Sequence, residues 1–279
     1  MLKKDRIITL IISVVLTTVL TSLAIRGTER TFDLTASLTQ PPIEDSGPCP
    51  QDMVFVESED GGFCVDRYEN SPGPGCPFEN PQNQDQTRAN LDDTDCQPLS
   101  QQGKKPWRNL SQDQALLACA KAGKRLPTHQ EWYQAALGTP DKEVSWSAKD
   151  CHVATNWPSQ PGLTGSGADC VSSAGAYDMI GNVWEWTKGA ISDGLLEGRK
   201  LPETGYIIST DGYGFPGLTT STAPDPNYNE DYFWVNPTKI RAIMRGGYWG
   251  NGSDAGVYSA YLVVPPSFSG TGVGFRCVK

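Results

Sequence analysis

The alternation of apolar and polar positions is sharpest over residues 177–186, Tyr-Asp-Met-Ile-Gly-Asn-Val-Trp-Glu-Trp. From Val183 onward the period is two: Val183 and Glu185 fall on one face of an extended segment, Trp184 and Trp186 on the other. Two large aromatics on one face predict a strand that anchors a core. Shorter apolar runs at 53–56 and 63–68, the second carrying Cys64, predict two more strands. Residues 243–249 and 273–278 read as strands flanking a loop-like stretch.

Helical spacing occurs twice, each time with its own punctuation. Ser111 followed by Gln114 is a capping box; Leu116, Leu117 and Cys119 supply the apolar side, and Gly123 stands where the helix should stop. Thr128 with Glu131 is a second capping box; Trp132, Ala135 and Ala136 make the buried stripe, and Gly138 closes it. The link Lys124-Arg125-Leu126-Pro127 is expected to be extended, because proline pushes its predecessor toward the β region.

Between these elements the chain loses its period. Residues 71–105 are polar and Gln/Asn/Pro-rich and hold Cys76 and Cys96, which predicts an insertion pinned by disulfides or a functional loop. Residues 144–176 are turn-rich, with Trp146 and Trp157 as core pieces and Cys151 and Cys170 as staples. Residues 189–236 read as long and irregular. Their densest patch, Glu230-Asp231-Tyr232-Phe233-Trp234, is either a surface recognition cluster or a loop folded on its own aromatics.

The N-terminus changes the picture. Lys3, Lys4 and Arg6 surround one acid and precede an uncharged run over residues 7–25. At about 1.5 Å per residue that run comes close to the roughly 30 Å hydrocarbon core of a bilayer, and it exceeds the apolar core of a cleaved signal. The expectation is a basic cytoplasmic tail over 1–6, a transmembrane signal anchor over 7–25, a Thr/Ser/Pro-rich stalk over 26–48 and an extracytoplasmic domain over 49–279. A cleaved signal peptide would place the domain in the same compartment.

All eight cysteines lie beyond residue 48, and an even number in an oxidising compartment predicts up to four disulfides with the pairing left open. No pair has zinc-site spacing, and two histidines exclude a histidine-rich metal centre. A net charge of -9 argues against a nucleic-acid partner. Asp178, the carbonyls at the Gly181 turn and Glu185 present oxygens that suit a hard cation such as calcium. The alternative is a core strand with two solvated acids.

Arg125-Leu126-Pro127-Thr128 running into Glu131-Trp132, then Gly181-Asn182-Val183-Trp184-Glu185-Trp186, Arg245-Gly246-Gly247 and Gly274-Phe275-Arg276-Cys277 occur in a telling order. Together with Phe63-Cys64-Val65-Asp66-Arg67-Tyr68-Glu69 they resemble the sulfatase-modifying-factor, or formylglycine-generating-enzyme, domain over roughly residues 49–279. The resemblance implies an α+β, irregular, disulfide-stapled variant of the C-type lectin fold. It also implies a calcium ion held by Asp178, Gly181, Val183 and Glu185.

In the family's enzymes a redox cysteine pair after Arg-Gly-Gly binds copper and oxidises a substrate cysteine. The matching positions here are Asn251 and Gly256, neither of which is a thiol, so copper is not expected. Residues 248–272 carry Asp254 as their only charge and offer almost nothing for acid–base or nucleophilic chemistry. The resemblance thus implies a domain that has lost the oxidase activity.

The same segment is similar to the ligand surface of a second branch of this fold, the variable proteins of diversity-generating retroelements. Tyr248, Gly250, Asp254, Ser259, Tyr261, Val263, Val264, Phe268, Gly270 and Gly272 are all residue types that adenine-directed change of an Asn codon can reach. An ordinary, undiversified loop region is the alternative. That similarity implies a ligand surface of Tyr248, Trp249, Asp254, Tyr261, Val263 and Phe268, with Tyr248, Tyr261 and Phe268 as aromatic anchors. Trp184, Trp249 and Arg245 would shape its floor, while Arg276 is expected to pair internally. The overall expectation is a membrane-anchored module for an unknown extracellular protein, peptide or glycan. The competing readings are an oxidase with an altered centre and a structural cell-envelope module.

Overall fold

The strand predicted around Trp184 lies near the middle of the largest sheet. The computed structural model describes residues 48–58 and 61–279, all within one unit, Gly47–Lys279. The expected tail, the anchor over 7–25 and nearly all of the stalk lie outside the described residues. Among the described residues no helix is long and apolar enough to cross a membrane.

The chain opens with an antiparallel pair, β1 (Met53–Val56) and β2 (Phe63–Asp66). A second small pair follows, β3 (Asn70–Pro72) with β4 (Pro98–Ser100). Between β3 and β4 stands α1 (Gln84–Asp92), in the stretch whose polarity gave no helical period. Only Thr87, Asn90 and Leu91 of α1 are buried. Its position is fixed instead by hydrogen bonds: the Trp107 indole donates to Thr87 Oγ1 at 3.2 Å, and Asn90 exchanges two bonds of 2.8 Å with the Phe78 backbone.

Both capping boxes form as expected, at the start of α2 (Gln112–Lys121) and α3 (His129–Ala136). The apolar side of α2 departs from expectation. Gln112, Ala115, Ala118 and Cys119 are buried, at helical spacing, whereas Leu117 is 49% exposed. In α3 the predicted Trp132, Ala135 and Ala136 are buried together with His129.

The large sheet contains β5 (Trp184–Ser192), β6 (Leu195–Leu196), β7 (Arg199–Lys200), β8 (Gly205–Thr210) and β9 (Pro216–Thr220). It is completed by β10 (Tyr232–Val235), β11 (Ile240–Arg245), β12 (Ala260–Leu262) and β13 (Val273–Gly274). The order is β7-β6-β5-β11-β12-β10-β8-β9, with β13 on β5. Residues 189–236 are therefore not an irregular insertion: they supply β6 to β10, short strands with no sustained alternation. β11 starts earlier than predicted and stops at Arg245, where Gly246 (φ 93) and Gly247 (φ 88) turn the chain through a conformation that suits glycine.

The sheet separates two cores. Ile207, Phe215, Phe233, Ile243, Ala260 and Leu262 pack on one side. On the other, Trp107, Leu110, Trp186, Met244 and Phe275 pack beneath α2. Each such aliphatic or Phe side chain removed from water stabilises the fold by roughly 1.5–3 kcal/mol. Disulfides Cys49–Cys64, Cys76–Cys96, Cys119–Cys277 and Cys151–Cys170 engage all eight cysteines, the last within a third buried cluster that also holds Val65, Trp132 and Ile180.

Candidate functional site

The 177–186 stretch makes a tight turn before β5. Asp178 (φ 59), Gly181 (φ 78) and Asn182 (φ 51) all take left-handed backbone, and a Cβ on Gly181 would stand 2.3 Å from the His152 carbonyl oxygen. The turn delivers Asp178 and Glu185 into one buried cluster. Both are 1% exposed, which excludes the reading of two solvated acids.

Glu185 is fully engaged. Arg276 donates to it from Nε at 2.7 and 2.9 Å and from Nη2 at 2.6 Å, and the Trp132 indole donates to Oε2 at 2.7 Å. Glu69, wholly buried, accepts from Asn182 Nδ2 at 2.6 Å and from the Val183 amide at 3.2 Å. Asp178 Oδ2 accepts from the Gly165 amide at 2.6 Å, but Oδ1 has no partner. Burial, with the charge of Glu185 adding to it, pushes Asp178 up to about 7 against the pull of the Gly165 amide and Arg276. Burial and then the neighbouring Asp178 and Glu185 hold Glu69 well above the ordinary carboxylate range.

Three carboxylates thus face one guanidinium. Among the described residues no group of three or more His, Cys, Asp or Glu side chains is arranged to hold a metal ion. Of the expected calcium set, Asp178 offers a free buried oxygen, whereas Glu185 has both oxygens committed. The fit to a hard cation is therefore partial.

Arg245, expected in the floor of a ligand surface, is enclosed. It donates to the carbonyls of Ser259 (3.1 Å), Gly214 (3.1 Å) and Val257 (2.8 Å). Its guanidinium lies 5.2 Å from the Trp132 ring centre and 5.6 Å from that of Phe215. With no exposed surface it braces the loop after β11 from within. Arg276 pairs internally, as expected.

Of the remaining predicted residues, Trp184, Tyr261, Tyr248 and Trp249 belong to an aromatic face. Alternation along β10 sends Phe233 into the core and leaves Tyr232 and Trp234 half-buried on the opposite side. Cross-strand register then sets Tyr232 beside Tyr206 and Trp234 beside Tyr261. Ring centres run Tyr206–Tyr232 5.0 Å, Tyr232–Trp234 4.8 Å, Trp234–Tyr261 6.0 Å and Trp184–Tyr261 5.6 Å. Tyr248 packs against the same cluster and stacks edge-on to Trp249 at 5.0 Å.

Trp184, itself buried, thus forms a floor for Tyr261 and Trp234. Val263 and Asp254 are half-buried and Phe268 is exposed. Tyr206 was not singled out by the sequence. The signal that finds it is its register opposite Tyr232, which no local pattern carries.

A profile of the sulfatase-modifying factor enzyme 1-like domain matches residues 64–279. The chain belongs to this family. To the formylglycine-generating enzyme of Mus musculus it is 32% identical over 98 residues, which are 29% of this chain and 26% of that one. To the inactive C-alpha-formylglycine-generating enzyme 2 of Bos taurus it is 32% identical over 121 residues, 38% of this chain and 40% of that one. The chain therefore spans between about a quarter and two fifths of the curated relatives it matches. Among solved structures the Major Tropism Determinant U1 Variant aligns with a TM-score of 0.45 and 17% identity, over 84% of this chain and 53% of that one.

Within this family member the positions set against the redox cysteines are occupied otherwise. Asn251 accepts the Tyr248 amide at 3.0 Å through Oδ1 and so closes a turn. Gly256 is tightly confined. A Cβ there would stand 1.7 Å from Asp231 Oδ1 and 2.5 Å from Asp141 Oδ2, closer than atoms can approach.

Proposed function

We propose that this sulfatase-modifying factor domain is an extracytoplasmic ligand-binding module, held to the membrane through residues 7–25, and that it does not perform thiol oxidation. The observation that carries the binding reading is the aromatic face of Tyr206, Tyr232, Trp234, Tyr261 and Tyr248. Rigid rings standing half out of water give contact area at low entropic cost. Against oxidase chemistry stand the engagement of every cysteine in a disulfide and the absence of room for a side chain at Gly256. The extracytoplasmic placement rests on the uncharged run behind a basic tail, and the four disulfides agree with it.

Calcium belongs to the same proposal as a structural ion. The unpartnered Asp178 oxygen and the excess of carboxylate over guanidinium favour a cation; the committed Glu185 weighs against its serving as a ligand. When bound, the ion would neutralise part of that excess charge.

The test is binding of the full-length protein to immobilised glycan, peptide and extracellular-protein panels. Saturable binding that is lost in Tyr261→Ala and Trp234→Ala, with unchanged melting, supports the reading. Binding indifferent to both substitutions, or none that saturates, overturns it in favour of a structural envelope module. Stoichiometric copper(I) uptake with thiol-dependent oxygen consumption would revive the enzyme.

A further inference from the structure

Asp231 sits just before β10 and has no exposed surface, while Asp141 lies in the loop after α3. Their carboxylates meet over Gly256, with Asp231 Oδ1 and Asp141 Oδ2 both directed at the place a Cβ would take there. Asp231 Oδ2 is used, accepting from the Tyr258 amide at 2.7 Å. Asp231 Oδ1 and both oxygens of Asp141 are buried and have no hydrogen-bond partner. The amides of Lys142 and Val257 and the side chain of Asn229 lie beside Asp141 and favour its charged form, yet none reaches hydrogen-bond geometry.

The cations nearby balance the pair only in part. Lys142 is committed to Asp150 at 2.6 Å. Arg245 is a single buried guanidinium whose charge acts on Asp231, but its hydrogen bonds go to carbonyls, Nη1 has no partner, and it makes none to either carboxylate. Glu230 adds negative charge beside Asp231 in the sequence, and after burial it is what raises Asp254.

Buried oxygens without partners are costly, and two carboxylates sharing one site more so. A hard cation answers both costs at once, because it takes oxygen ligands and cancels like charge. Water cannot do the second. Glycine at 256 is what lets the two carboxylates come together, since their oxygens occupy the place a Cβ would take.

We propose that Asp141 and Asp231 form a hard divalent-cation site over Gly256, separate from the cluster around Asp178. The cation would join the loop after α3 to β10 and to the loop before β12, and so brace the segment that carries Tyr258 and leads into Tyr261. Burial first, and then the charge of Asp141, raises Asp231 well above its ordinary range, while Asp141 is pushed up to about 7 chiefly by burial; both shifts agree with a place built for more positive charge.

Terbium supplies the probe, since Tyr258 lies beside Asp231 and packs on Tyr133 at 5.9 Å and Tyr228 at 5.1 Å, close enough to sensitise its luminescence. Terbium titrated alone into the full-length protein should give a saturable, calcium-displaceable signal. Asp231→Asn should lower its affinity at least about tenfold, because a charged ligand is lost. Asp141→Asn, at the half-buried rim, serves as a second variant that spares the core, and near-ultraviolet circular dichroism checks both folds. Asp178→Asn, which touches only what the other cluster binds, should leave the Asp231-dependent part of the signal in place. No saturable signal overturns the proposal and leaves a shared proton as the account of the pair. A signal that survives both Asp231→Asn and Asp141→Asn, or that falls only in Asp178→Asn, overturns it too.

Discussion

Arg276 and Glu185 form an ion pair from which water is excluded, with Nη2 2.6 Å from Oε1 and side-chain exposures of 0% and 2%. The pair ties the last strand region to β5 under the turn that presents Asp178. Removing one partner leaves a charge buried and, for Arg276, leaves three carboxylates with no guanidinium. Arg276→Met should therefore cost about 3–5 kcal/mol of stability, read as a lower urea midpoint at constant slope. A loss below about 1 kcal/mol would mean that the cluster is already neutralised by something other than Arg276.

Cys119 in α2 and Cys277 near the C-terminus close a loop of sequence separation 158, against 19 for Cys151–Cys170. If the bridges act by restricting the unfolded chain, Cys119→Ala with Cys277→Ala should cost about 5 kcal/mol, and the shorter pair about 3. Equal costs measured in parallel denaturation curves would reject the chain-entropy account for these bridges.

What was legible in the sequence follows from where the information sits. Both capping boxes are local: Ser111 with Gln114 and Thr128 with Glu131 satisfy orphan amides within one turn, so their residues alone announce the helices. The Trp184–Glu185–Trp186 alternation is equally local. Helix α1 was missed because long-range bonds from Trp107 and Phe78 hold it, not an apolar stripe. Residues 189–236 read as loop because strands of two to six residues are too short to show a period, and only pairing makes them a sheet. The burial of Arg245 was not legible either, since its partners are carbonyls of Gly214, Val257 and Ser259, which every sequence possesses.

His129 predicts an acid limb in the stability profile. It is 5% exposed, packs at a tilt on Phe215 with ring centres 4.6 Å apart, and neither ring nitrogen has a partner. Burial, with Arg245 adding to it, lowers its pKa to about 4. The folded value lies below the unfolded one, near 6.5, so on acidification the unfolded chain takes up the proton first. The stability linked to His129 is complete above about pH 6.5 and is lost between there and about 4, up to about 3 kcal/mol. His129→Phe keeps an aromatic ring against Phe215 and removes the titration. The difference between wild type and variant across this window should carry the slope, even though Asp141 and Asp231 contribute with the opposite sign. Parallel curves for the two proteins would sink the assignment.

Gly256 lets the fate of the oxidase position be tested by reversal. Gly256→Cys restores the residue type the family's enzymes are expected to carry there, but its Cβ would stand 1.7 Å from Asp231 Oδ1 and 2.4 Å from Asp231 Cγ. Asp231 cannot swing aside freely, because its other oxygen holds the Tyr258 amide. The variant should lose about 1–3 kcal/mol, the usual cost of overfilling a packed interior, and gain no thiol-dependent oxygen consumption. Shortening the obstacle tests the cause: Gly256→Cys combined with Asp231→Ala should be more stable than the sum of the two single changes predicts, by at least about 1 kcal/mol of coupling. Additive losses would show that the strain at Gly256 comes from somewhere other than the carboxylate pair.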